Sequence, residues 1–340
     1  MKIALLTPTF SQFSGIDRVV ELQAEELIKK GNQVTIFTLK AGINPKKANL
    51  VVMSMPKNPF FERLYRLFFF LDFFKIKKYS RLLKNYDLII SHQYPMNLLG
   101  CSAKKKYNIK YVYHNHGVAY PWLFKRLTER LYMRIFKFLT NLTAKKADEV
   151  VSISQYLKQE LKKETSINSR IVYDKIDKKR FHKGIKGQKI KKKYGLGKNP
   201  VCLYVGRISP HKGIHLLIKA FNLVLKKMPT AKLLIVGKKT FDDYATELKK
   251  LAKKVNPQAI IFAEFVPDKD LPYYYAACDV YTTATLWEGF NMTVVEAQAL
   301  GKPVVAFNLC AHPEVVKKGK LVKPLDICGF ADAIISTIGD

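Results

Sequence analysis

Long hydrophobic runs are missing from this chain: no stretch of roughly 18 apolar residues occurs, which excludes a helix that spans a bilayer. Cysteine is scarce, with five residues (Cys101, Cys202, Cys278, Cys310 and Cys328) widely scattered and no CxxC pair. An odd, dispersed set favours neither a disulfide framework nor a zinc site, and fits a reducing cytoplasm. Acidic residues are few, 27 against 59 Lys and Arg, leaving a formal net charge of +32 that calls for an anionic partner. Nucleic acid, anionic lipid and nucleotide phosphates all meet that demand. The opening MKIALLTPTF has too few apolar residues before Thr7 and Pro8 for a signal peptide and reads as a first strand. No internal repeat of solenoid period is visible.

What is present is core material. Hydrophobic residues make up 48% of 340, enough for two domains at about 150 residues each. Short apolar runs alternate with helical patterns: strands at Ile3–Leu6, Gln33–Thr38, Leu88–Ser91, Tyr111–His114 and Glu149–Ile153, with a helix at Arg18–Lys30. The lysine- and glycine-rich stretch Asp174–Pro200 interrupts that rhythm and marks the domain boundary. Strands then resume at Val201–Val205, Lys232–Val236, Ala259–Phe262, Val280–Thr283 and Val304–Phe307, with helices at Ile214–Lys227, Phe241–Lys254 and Asn291–Leu300. This alternation predicts an α/β protein of two doubly wound parallel-sheet domains, 1–173 and 174–340, facing a cleft at the C-terminal ends of their strands.

Two segments carry candidate chemistry. In VGRISPHKG a strand ends at Val205, and Gly206, Arg207, Lys212 and Gly213 crowd the loop that opens a helix. A guanidinium fork, a compact ammonium and free helix N–H groups together suit phosphate. In ATLWEGFNMTVVEAQALGKPVV, Glu288 and Glu296 flank a turn that enters a helix. Glu288 can accept sugar hydroxyls and Glu296 the two ribose hydroxyls, while Gly289, Phe290, Asn291, Met292 and Thr293 supply backbone for a diphosphate cradle. Solvated loop charges would show the same residue types. Asp268 and Asp270 of PDKDLP precede a helix and read as capping residues, not metal ligands.

With these motifs in order and spacing, the chain resembles the family four glycosyltransferases, retaining enzymes of the GT-B architecture, along almost its whole length. The resemblance implies transfer of a sugar from a nucleotide diphosphate sugar, UDP- or GDP-linked, without metal or cofactor. Arg207 and Lys212 would stabilise the departing phosphate, which helps deprotonate the acceptor on the same face. FVPDKDLPYYYAACDVYTTAT resembles the segment leading into the donor pocket, with Asp279 at the family's aspartate. FSQFSGIDRVVELQ resembles the family's opening loop, with Gly15 approaching the donor and Ser14 where relatives carry a second glycine. YVYHNHGV resembles the strand whose following histidine, His116, positions the sugar or lines the acceptor side. Other departures are Asp174-Lys175-Ile176-Asp177 at the hinge, Asn291 in place of a glycine, and an end at Asp340 short of the usual C-terminal brace.

PFFERLYRLFFFLDFFKIKKYSRLLK and PWLFKRLTERLYMRIFKFLTNLTAKK interleave aromatic with basic residues, as segments that lie on anionic lipid do, although core helices with basic outer faces would also read this way. Both fall in the domain that receives the acceptor in the resembled family. The expectation is a cytoplasmic enzyme, peripheral on the inner face of the cell membrane, acting on a lipid-linked or envelope glycan. An inactive relative that binds membranes is the alternative. Nucleic-acid binding is not expected, because the charge is spread along helices and no recognition motif occurs.

Overall fold

Apolar runs of four to nine residues rich in Val, Ile and Leu, bounded by polar turns, become strands buried on both faces. The computed structural model describes residues 1–11 and 15–339, and in it these strands form two parallel sheets, one in each of two units. The first unit comprises Met1–Pro121 and Arg126–Lys175; the second comprises Trp122–Lys125 and Ile176–Asp340.

The first unit contains strands β1 (Lys2–Phe10), β2 (Gln33–Ala41), β3 (Asn49–Val52), β4 (Leu88–Ser91), β5 (Lys110–Asn115), β6 (Glu149–Ser152) and β7 (Arg170–Ile171). Its helices are α1 (Gly15–Lys29), α2 (Pro59–Leu67), α3 (Phe73–Leu83), α4 (Asn97–Tyr107), α5 (Leu127–Ala144) and α6 (Gln155–Thr165). The strand order is β3-β2-β1-β4-β5-β6-β7. The two-residue period of a strand divides the core: Ile3, Leu5, Val34 and Ile36 pack with Val20 and Ala24 of α1. Ala4, Leu6, Phe37 and Ile89 pack on the other face with Leu83, Leu99 and Ala103. Each of these side chains is buried, and each Leu or Ile is worth about 1.5–3 kcal/mol by area.

The second unit contains α7 (Gln188–Lys193), β8 (Val201–Val205), α8 (Ile214–Lys227), β9 (Lys232–Val236), α9 (Asp242–Val255), β10 (Ile260–Glu264), α10 (Leu271–Ala277), β11 (Val280–Thr283), α11 (Met292–Ala299), β12 (Val304–Phe307), α12 (His312–Val315), β13 (Gly319–Val322) and α13 (Ile327–Gly339). Its strand order is β10-β9-β8-β11-β12-β13. Both sheets therefore reverse direction beside their first strand, between β1 and β4 and between β8 and β11. In open α/β sheets that reversal leaves a crevice at the strand C-termini where ligands bind.

The lysine-rich stretch, the expected domain boundary, belongs to the second unit from Ile176, carries α7, and buries Phe181, Ile190 and Leu196. Its lysines mask these anchors because each lysine stands exposed or half-exposed around them. One sequence expectation is corrected: the two aspartates do not cap α10. Asp270 occupies the N-cap without a side-chain cap bond, and Asp268 accepts a 2.6 Å hydrogen bond from the Arg180 guanidinium. Among the described residues no helix is long and apolar enough to cross a membrane.

Candidate functional site

At the β8–β11 crevice the chain turns sharply because Gly213 is left-handed (φ +62°) and has no Cβ, which would sit 1.9 Å from the Ala284 carbonyl oxygen. This contact clamps the β8 loop against the β11 loop and brings Lys212 onto Glu288, 76 residues away, as an ion pair between Nζ and Oε2. Both side chains are largely withdrawn from water, 12% and 19% exposed. Burial holds the Lys212 ammonium below its ordinary range, and Glu288 opposes that shift. Arg207 stays exposed at the end of β8, its carbonyl accepting from the Tyr204 hydroxyl at 3.1 Å.

The loop into α11 is fixed by a chain of hydrogen bonds. His312 Nδ1 lies 2.8 Å from the Phe307 carbonyl, so Nδ1 carries the hydrogen and Nε2 accepts from Asn291 Nδ2 at 2.9 Å. Asn291 Oδ1 then accepts from the Thr293 hydroxyl at 2.7 Å, and Thr293 pairs with the Tyr281 hydroxyl at 2.6 Å. Asn291 adopts a left-handed backbone (φ 73°, ψ 71°), the conformation that asparagine tolerates best after glycine. Gly289 and Phe290, in the same loop, are buried, and Met292 and Thr293 form the first turn of α11. Glu296, 1% exposed, accepts from the buried Tyr275 hydroxyl at 2.7 Å. Asp279 lies at the other end of the sheet, where its Oδ2 accepts from the Val201 amide at 2.8 Å and ties β8 to β11.

The β1–β4 crevice of the first unit has different chemistry. His92 follows β4, its amide bonded to the Leu6 carbonyl at 2.9 Å, while His114 and His116, two residues apart, project together from the end of β5. His92 Nδ1 lies 3.0 Å from His116 Nε2, and His116 Nδ1 lies 3.9 Å from Asp174 Oδ2. Burial disfavours charge throughout. It lowers His114 to about 4 and His116 to about 3, depresses His92 well below its usual value, and raises Asp174 to about 8. Asp17 is also pushed up, to about 7, by burial, although Ser11 and Thr9 donate to its carboxylate. Gly15 starts α1 beside it with open space around its Cα, while Ser14 lies outside the described residues.

Sequence reading singled out His116 and the second-unit residues but missed His92, His312, Tyr275 and the role of Asp174. The available signal was position: His92 and His312 stand shortly beyond strand C-termini, where doubly wound sheets bind ligands. The aromatic-basic segments divide their faces. Leu67, Phe69, Leu83 and Phe136 are buried, while Phe60, Phe61, Phe73, Phe74, Leu127 and Phe138 are exposed, Phe74 by 90%.

Residues 13–180 match the family model described as Glycosyltransferase Family 4, and residues 186–340 match that described as Glycosyl transferases group 1. The alpha-monoglucosyldiacylglycerol synthase of Streptococcus pneumoniae (strain ATCC BAA-255 / R6) is 27% identical over 90% of this chain and 71% of its own length. A GDP-mannose-dependent alpha-(1-6)-phosphatidylinositol monomannoside mannosyltransferase of Mycolicibacterium smegmatis (strain ATCC 700084 / mc(2)155) is 26% identical over 72% of this chain and 64% of its own. The chain spans about half the length of two Bacillus subtilis (strain 168) relatives, at 45% and 49%. The crystal structure of Anabaena Alr3699/HepE in complex with UDP and glucose superposes with a TM-score of 0.83 at 23% identity, over 100% of this chain and 90% of that one.

Proposed function

We propose an activity from the premise that this chain belongs to the group 1 glycosyltransferases and has their GT-B fold: it transfers a sugar from a nucleotide diphosphate sugar to an acceptor hydroxyl, retaining the anomeric configuration. The observation that carries the reading is the Lys212–Glu288 pair at the β8–β11 crevice, with Arg207 exposed at the same strand end. A donor diphosphate competes with Glu288 for Lys212. As it takes the ammonium, Glu288 is released to accept hydroxyls of the transferred sugar. Arg207 and Lys212 stabilise the charge that grows on the leaving diphosphate, so the reading calls on no metal. First-turn amides of α11 meet the phosphates and Glu296 accepts the ribose hydroxyls. The departing phosphate oxygen takes the acceptor proton on the face it leaves, and neutral His116 positions the sugar or lines the acceptor side.

The donor base is uracil or guanine: the Anabaena protein was solved with UDP and the mycobacterial relative is named for GDP-mannose. The acceptor is a lipid-linked or envelope glycan, and the enzyme is peripheral on the cytoplasmic face of the cell membrane. Support comes from the exposed Phe60, Phe61, Phe73 and Phe74 alongside exposed Arg63, Lys77, Lys78 and Arg81, a combination that suits an anionic lipid interface.

Thermal shift with UDP, GDP and ADP tests the donor site. One nucleotide should stabilise the native chain and fail to stabilise the Lys212→Ala and Glu296→Ala variants. No shift with any nucleotide would defeat the reading.

A further inference from the structure

Three of the chain's seven histidines, His92, His114 and His116, offer ring nitrogens that all lie within 4.8 Å of one another. Sheet order produces the grouping: β4 and β5 are neighbours, so the residue after β4 meets two residues that share one side at the end of β5. His92 Nδ1 and His116 Nε2, at 3.0 Å, stand near the separation of about 3.3 Å that two imidazole nitrogens adopt around one tetrahedral zinc ion. The His114 ring lies 4.9 Å from that of His92, centroid to centroid, within reach of a side-chain rotation.

The outer nitrogens are also provided for. His92 Nε2 lies 2.8 Å from Gln23 Oε1, so Nε2 carries the hydrogen and the Nδ1 lone pair faces His116. His116 Nε2–H donates to that lone pair. Moving its hydrogen to Nδ1 frees Nε2 as a ligand and turns an N–H toward Asp174 Oδ2, at 3.9 Å. An imidazole ligand whose second nitrogen is held by a carbonyl or carboxylate is the arrangement that fixes its tautomer and raises its basicity.

We propose that His92, His114 and His116 form a site for one borderline-soft divalent cation, zinc(II) foremost, with Gln23 and Asp174 as its outer hydrogen-bond acceptors. Three neutral imidazoles suit zinc over magnesium or calcium. The cation is not part of sugar transfer. It takes His116 away from the substrate and so inhibits, a consequence that rests on the role proposed for His116, whereas binding itself does not.

Cobalt(II) titration of the full chain, followed by visible absorption without substrate, separates the two. One cobalt per chain should give the intense bands of a four-coordinate site, displaced by stoichiometric zinc(II). His114→Gln should weaken binding at least about 100-fold and Gln23→Ala about 10-fold, with exposed His182→Gln as an unchanged control. The absence of four-coordinate bands would overturn the site, as would bands that persist in His114→Gln at native affinity. Should His114→Gln fail to fold, native cobalt affinity in Gln23→Ala would overturn it equally.

Discussion

The two units place the same backbone device under opposite electrostatic regimes. Each sheet reverses direction beside its first strand, and each reversal gathers residues from just beyond two strand ends. In the second unit those residues are ions, Lys212 against Glu288 with Arg207 nearby. In the first they are groups that burial keeps neutral: His92, His114, His116 and a protonated Asp174. A fixed cation is what a diphosphate requires, and uncharged donors and acceptors are what a sugar hydroxyl requires. On the proposed function, one topology serves two recognition chemistries, the choice between them lying in a few loop residues.

The sharpest break in this contrast is Gly213→Ala. A Cβ in the Ala284 carbonyl at positive φ should cost more than about 3 kcal/mol and lower the melting temperature of the second unit, read by calorimetry. Lys212→Ala should reduce kcat/KM by about 100- to 1000-fold, since it removes the buried cation that the proposed mechanism sets against the leaving diphosphate. Glu288→Gln should do the reverse for binding: nucleotide affinity rises in calorimetric titration because Lys212 no longer has a competitor, while turnover falls.

The pH profile sharpens the other side. Stability from His114 and His116 is present above pH 6.5 and lost as pH falls through their folded values of about 4 and about 3, His114 contributing roughly 3 kcal/mol. Asp174 acts oppositely, its contribution lost as pH rises from 3.8 through about 8. Denaturant melts from pH 4 to 8 should show both effects, and Asp174→Asn should reduce the alkaline loss to the part that Asp17, raised to about 7, contributes. The smallest effect is expected for the pair Phe73→Ser and Phe74→Ser. Binding to anionic vesicles should weaken about 10-fold in flotation, with nucleotide binding unchanged.

Strands were legible wherever an apolar run met polar neighbours: Val201–Val205, Lys232–Val236 and Val280–Thr283 agree residue for residue with β8, β9 and β11. Strand β3 carries the apolar run Leu50–Met53 but no strand residue of it is fully buried, and β7 is only two residues long, so neither stood out. In the second unit, the loop motifs and then the family resemblance singled out Lys212 and Glu288, although neither announces a partner 76 residues away. The histidine cluster stayed hidden because it depends on which strands are neighbours. Asp174 was read as a hinge residue, since nothing local shows that it turns toward His116.

The central claim is that donor recognition belongs to the second unit and acceptor chemistry to the first. Calorimetric titration of the preferred nucleotide into Lys212→Ala and His116→Ala, with turnover measured alongside, tests it most directly. The account predicts that Lys212→Ala loses both, and that His116→Ala keeps native nucleotide affinity while turnover drops about 100-fold. Nucleotide binding that survives in Lys212→Ala, or that vanishes in His116→Ala, would contradict it.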